Sequence, residues 1–213
     1  MIVQTLEKRG ADIAGTKRAP GRKPAAGRPR NEEIGDQILS AARALLAESG
    51  YDALTFEAIG SRTGIGRPTI YRRWPSKVHL VAEIAYGPDG EDLRETGGDL
   101  LSQLLSLVRQ VAQNYYKPEV VAATAGLNSA FQYEPALREE LHKPAEAGAR
   151  RQLAGIVDRL KARGEIVLDA DPDLLFDMII GAVTFRLIFS SFDREDDFEA
   201  ALAQKLHRAF KVI

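Results

Sequence analysis

An all-α chain in two parts is predicted by three features of the sequence. Apolar residues recur at three- and four-residue spacing from Ile34 onward, glycines and prolines stand where such helices would start and stop, and charge divides the chain near residue 80. Residues 1–80 carry 14 basic and 8 acidic side chains, net +6, against −7 for residues 81–213, although the 213-residue whole sums to −1. A basic front on an acidic body is the charge pattern of a nucleic-acid footprint. A composition 45% hydrophobic and 28% charged excludes disorder throughout. The absence of cysteine excludes disulfides, thiolate nucleophiles and cysteine-rich zinc sites, and His79, His142 and His207 are too scattered to suggest a metal cluster. No apolar run reaches the roughly 18 to 20 residues of a bilayer span, and the amino terminus lacks the apolar stretch of a secretory signal. The expected compartment is the cytoplasm, with no membrane partner and no cofactor.

Residues 1–30 read as a disordered basic tail, with six basic residues and no acid between Lys17 and Arg30. So little apolar surface cannot offset chain entropy. Such a tail is either a solvated extension or an arm that lies along phosphates or enters a minor groove. Helix one follows, with Ile34, Ile38, Ala42, Leu45 and Leu46 on one stripe, Asn31 as its cap and Gly50 as its left-handed stop. Thr55 can cap a short second helix, with Leu54 stapled onto Ile59. Thr63-Gly64-Ile65-Gly66 should end it, because paired glycines allow a tight turn before a crossing helix. A third helix is expected from Arg67 to about Trp74, with Pro68 in its first turn and Pro75 ending it. Ile70 and Trp74 would face inward, and Arg67, Pro68, Tyr71 and Arg72 outward. Ser76 can cap a fourth helix from Lys77, with Val81, Ile84 and Ala85 inward and Gly87-Pro88 at its end.

These elements form a helix-turn-helix over residues 31–87, which would place its third helix in the major groove of double-stranded DNA. The segment Thr55 to Lys77, TFEAIGSRTGIGRPTIYRRWPSK, resembles the DNA-binding signature of the tetracycline-repressor (TetR) family. Gly60 replaces the usual alanine, which loosens helix two slightly, and Trp74 the usual phenylalanine, which preserves an aromatic core plug; neither departure threatens the resemblance. The resemblance implies that Tyr71 bonds a phosphate, and Lys77 with the free amides of its helix start does the same. Arg67 is the first candidate for base reading, because a guanidinium presents two donors to guanine. Arg72 comes second, and Thr69 is a candidate for a thymine methyl or base edge. Arg73 is a phosphate partner or solvated surface. Thr55, Pro68 and Ser76 complete the candidate DNA-contacting set, while Ile59, Ile70 and Trp74 are core.

Residues 88–213 read as the carboxy-terminal ligand-binding and dimerisation domain that the resemblance implies. Leu101, Leu104, Leu105, Val108, Val111, Ala112 and Tyr115 mark one amphipathic helix; Pro118 and Pro135 open the next two, Pro144 should interrupt or kink the following stretch, and Gly164 closes it. After Asp171-Pro172 comes a helix apolar nearly all round, which demands burial on more than one side. A last helix carries Phe198, Leu202, Leu206 and Ala209 on its stripe, with acids Glu195 to Asp197 at its start. The helices near 172–190 and 195–210 resemble the family's dimer-forming pair, and ARGEI followed by DPDLLFDMIIGAVTFRL resembles a subclass common in actinobacteria. A two-fold dimer suits a near-palindromic operator, since recognition helices about 34 Å apart read successive major-groove faces.

Gly64-x-Gly66 lacks the preceding strand of a dinucleotide site, and Asp169, Asp171 and Asp173 lack the glycine of a calcium loop. No catalytic constellation is recognisable, and an enzyme is not expected. Tyr115, Tyr116, Phe131 and Tyr133 are the candidate contacts for an unidentified small-molecule effector. The expected function is sequence-specific transcriptional regulation by a homodimeric repressor that its effector releases from DNA. An activator, or a regulator without an effector, would use the same helices.

Overall fold

The computed structural model describes residues 28–87, 93–191 and 197–212. Most of the expected basic tail, and the acids Glu195 and Asp196, lie outside those residues. Helix α1 (Arg28–Ala53) begins ahead of Asn31, so the cap expected there falls inside the helix. Proline is tolerated in a first turn, whose amides have no intrahelical acceptor, and Pro29 therefore does not bar the earlier start. Ile38, Ala42 and Leu46 are buried along α1, and Gly50 breaks its course at φ 78°. Thr55 caps α2 (Phe56–Thr63) by accepting from the Ala58 amide at 3.0 Å, with Leu54 and Ile59 both fully buried at its start. Gly64 ends it at φ 72°, a conformation that costs glycine little.

Helix α3 (Arg67–Tyr71) is shorter than expected. The amides of Arg73 and Trp74 both donate to the Ile70 carbonyl at 3.0 Å, a tightened turn rather than a continued helix. The cause is Pro75, whose ring pushes the residue before it out of the helical region. Ile70 and Trp74 do face inward, and the indole N–H donates to the Glu83 carboxylate at 2.6 Å. Helix α4 (Lys77–Tyr86) begins after an extended Ser76 and stops at Gly87. The Ser76 hydroxyl does not cap it. It hydrogen-bonds His79 Nδ1 at 2.9 Å instead.

Asp99 caps α5 (Leu100–Tyr115) through the Ser102 amide. Its buried face is centred on Leu100, Leu104, Leu107, Val108 and Val111, while the expected Leu101, Leu105 and Tyr115 are only partly buried. The sequence carries two overlapping apolar stripes here, and packing selects between them. Helices α6 (Pro118–Tyr133) and α7 (Pro135–Leu137) open on the expected prolines. Pro144 does not break the chain. A π-helical turn (Arg138–His142) runs into α8 (Lys143–Ala162), and this wider winding accommodates a proline without an amide. Asp171 caps α9 (Pro172–Thr184), which widens into a second π-helical turn (Phe185–Phe189), and Asp197 caps α10 (Phe198–Phe210). On α10 the buried residues are Ala203, Leu206 and Phe210; Ala209 is exposed, because the inward stripe steps from 206 to 210 and leaves it aside.

Two apolar cores result. One joins α5, α8, α9 and α10. The other holds the helix-turn-helix and takes Ala123, Leu127 and Phe131 from α6, so the front of the molecule is seated on that helix. Leu127 is fully buried there, and Leu127→Ala should cost about 2–5 kcal/mol by lost transfer energy and cavity formation. Chemical denaturation followed by circular dichroism would measure it; an unchanged midpoint would contradict the shared core.

Candidate functional site

The exposed face of α3 is built by its short length and its two inward anchors. With Ile70 and Trp74 holding the helix down, Arg67, Pro68 and Arg72 stand exposed, and Tyr71 retains 49% of its surface. Tyr71 is steadied by the Phe56 ring, edge-on with centroids 4.8 Å apart, so its hydroxyl projects from a fixed base. Arg67 lies 4.0 Å from the Glu57 carboxylate, both of them largely exposed. Such a pair contributes little and leaves the guanidinium available to a nucleic-acid partner. Thr69 is half-buried and Thr55 is committed to its cap. The Arg73 guanidinium lies 5.7 Å from the Trp74 ring centroid and passes so close to Gly35 that a side chain there would collide with it.

Lys77 is placed differently from an extended surface lysine. Its ammonium donates to the Tyr51 carbonyl at 3.1 Å and lies 4.0 Å from the centroid of the Tyr51 ring. Partial burial holds its pKa below the usual lysine range, with Asp52 opposing the shift. His79 bridges the start of α4 to the π-helical turn, its Nε2 standing 3.3 Å from Glu140. No spacing rule in the sequence pointed to that pairing across 61 positions.

A half-open pocket of about 310 Å³ lies beside the carboxy-terminal core, lined by Tyr86, Tyr115, Arg138, His142, Glu146, Arg150, Phe176, Asp177 and Ile180 with small residues between them. Its floor is an ion cluster: Arg150 reaches Glu146 at 2.8 Å, Asp173 at 3.2 Å and Asp177 at 2.6 Å while lying over the Phe176 ring. Tyr86 is stacked edge-on against His142, centroids 5.3 Å apart, and burial pushes its phenol pKa well up. Of the four aromatic residues expected to contact an effector, the structure brings only Tyr115 to this pocket. Phe131 is buried in the core shared with the helix-turn-helix, with its ring tilted towards His142. Tyr116 is 59% exposed and hydrogen-bonded to Glu199, which pushes its pKa up to about 12, and Tyr133 is 85% exposed. The sequence signals for the remaining wall were weak, because its residues come from α4, the π-helical turn, α8 and α9. No group of three metal-binding side chains occurs among the described residues, and no helix there is long and apolar enough to cross a membrane.

A basic, aromatic third helix after a glycine turn, seated on a larger helical body, defines a helix-turn-helix DNA reader. Residues 38–84 match the family model "Bacterial regulatory proteins, tetR family", and residues 94–206 match "Tetracyclin repressor-like, C-terminal domain". The chain is 30% identical over 174 residues to the HTH-type transcriptional regulator Rv1556 of Mycobacterium tuberculosis, covering 78% of this chain and 82% of that one. Among solved structures it is similar to the TetR family transcription regulator SCO0332, with 26% identity, a TM-score of 0.61 and coverage of 83% and 97%. It also shares the fold of a transcriptional regulator from Saccharomonospora viridis in complex with choline, at 20% identity, a TM-score of 0.61 and coverage of 85% and 100%. The protein belongs to the TetR family of DNA-binding transcriptional regulators, and its relatives are regulators rather than enzymes.

Two outcomes follow. Arg67→Ala should relax specificity at one base position by about 1–3 kcal/mol, measured by binding to single-base operator variants; uniform weakening across all variants would assign Arg67 to phosphate instead. Burial is the main cause holding the His142 pKa below its ordinary 6.5, with Glu146 opposing and Arg138 reinforcing it. The unfolded chain therefore binds this proton more readily than the folded one. The contribution is fully present above about pH 6.5 and is lost as pH falls towards the depressed folded value. Thermal melts should show His142→Phe losing less stability than the parent between about pH 7.5 and 5.5; equal losses would remove His142 from the acid response.

Proposed function

We propose that the protein is a cytoplasmic homodimeric repressor in which residues 31–87 read a near-palindromic operator and residues 88–213 dimerise and bind a small-molecule effector. The observation that carries the effector reading is Tyr86. It is the last residue of α4, whose first residue is Lys77, and it is also a wall of the half-open pocket. A molecule entering that space touches the same helix that presents a DNA-contacting end. Binding that favours a displaced α4 lowers operator affinity by the difference in effector affinity for the two shapes, typically about 1–3 kcal/mol. The choline complex of the Saccharomonospora viridis regulator supports the use of this fold for a small organic ligand.

Support for the dimer comes from α9 and its π-helical extension. Leu175, Phe176, Ile179 and Val183 are buried within the chain, yet Leu174, Met178, Phe185 and Phe189 remain 52%, 37%, 64% and 59% exposed. A second copy presenting the same face would cover them by two-fold symmetry. An operator obtained by selection from random duplexes tests both parts at once. The double variant Phe185→Asp, Phe189→Asp should sediment as a monomer and bind the operator about a hundredfold or more weakly, because the second half-site contact becomes intermolecular. A parent protein that is monomeric both alone and on the duplex would refute the dimer.

A further inference from the structure

Lys77 and Tyr51 are joined by two interactions of different kinds, a hydrogen bond to the backbone carbonyl and an ammonium over the ring. A lysine side chain is long and freely rotating, and fixing it on a phosphate normally opposes binding. Here the restriction is imposed before DNA arrives. The lysine is the first residue of a ten-residue helix with no side-chain cap, whose opening amides lack intrahelical acceptors. Tyr51 is itself held from behind. Gly126, in the middle of α6, lies so close that a β-carbon there would stand 2.1 Å from two ring carbons. Glycine in a helix interior is unfavourable, and this close approach supplies the reason for it.

We propose that Tyr51 is a positioning residue for DNA binding. It holds the Lys77 ammonium at the start of α4 for a backbone phosphate, and its direct seat on Gly126 makes that hold depend on where α6 lies. The inference rests on Lys77 being a phosphate contact and goes beyond it by naming what orients the lysine and what moves it. The Tyr51 ring meets α6 without an intervening side chain, so a shift of α6 towards the ring displaces the ring and with it the ammonium.

The test uses the full-length protein and a mixed-sequence duplex, with affinity measured across a salt series. Lys77→Gln should lower affinity and reduce the slope of log K against log salt by about 0.9 for each phosphate that is no longer neutralised. Tyr51→Leu should lower affinity roughly three- to tenfold, reduce the slope in the same direction, and add nothing further in the Lys77→Gln background. Tyr51→Phe, which keeps the ring face and the carbonyl, should bind like the parent. Gly126→Ala, which pushes the ring away, should reproduce the slope change of Tyr51→Leu. If Lys77→Gln reduces the slope and Tyr51→Leu does not, Tyr51 has no positioning role although Lys77 meets phosphate. If Lys77→Gln leaves the slope unchanged, the phosphate contact and the proposal fail together. A readout in the parent does not depend on any variant folding well: with lysine-selective carbon-13 labelling, the Lys77 ε-methylene protons should be shifted upfield by the Tyr51 ring. Their resonance among the ordinary lysines would overturn the proposal.

Discussion

Helix α6 follows α5 in the carboxy-terminal part of the sequence yet packs in the core of the helix-turn-helix, and the burial of Ala123, Leu127 and Phe131 there is the packing on which the rest depends. Four helices within residues 28–86 enclose little apolar volume by themselves, and small domains are correspondingly marginal. Completing their core with a helix from the larger body stabilises the DNA-reading face. It also removes that face's independence: a tightly packed interior transmits displacement rather than absorbing it.

The charged groups divide into those that fix the scaffold and those left towards solvent. Glu95 is held by Arg159 and Arg163, both at 2.7 Å, tying the loop before α5 to α8. Arg150 ties α8 to α9 through Asp173 and Asp177 while it also pairs with Glu146 on its own helix. On the recognition helix, by contrast, Arg67 stands at a long distance from an exposed carboxylate. The guanidinium there is only weakly engaged, unlike those that tie the scaffold helices together.

Much of the front was legible because its signals are local. Thr55 caps, Gly64 turns, and Pro68 starts a helix for reasons that need no partner elsewhere. The errors arose where a local rule admitted two outcomes. Leu101 and Leu105 belong to an apolar stripe as good as that of Leu100 and Leu107, and only the position of the neighbouring helices distinguishes them. Pro144 could have broken its helix, but the chain widened into a π-helical turn instead. Ser76 was well placed as a cap, yet a histidine one turn onward competes for its hydroxyl.

The sequence alone determined the helical class, the order of the elements and the composition of the basic face, because helix periodicity, proline geometry and charge are properties of neighbouring residues. Tertiary structure alone decided which aromatic residues meet. Tyr86, His142 and Phe176 line one pocket, Tyr133 faces solvent, and the Tyr51 ring fills the notch at Gly126 beneath the Lys77 ammonium. Those encounters join residues far apart in the chain. They are set by the crossing of whole helices, for which no short stretch of sequence carries a signal.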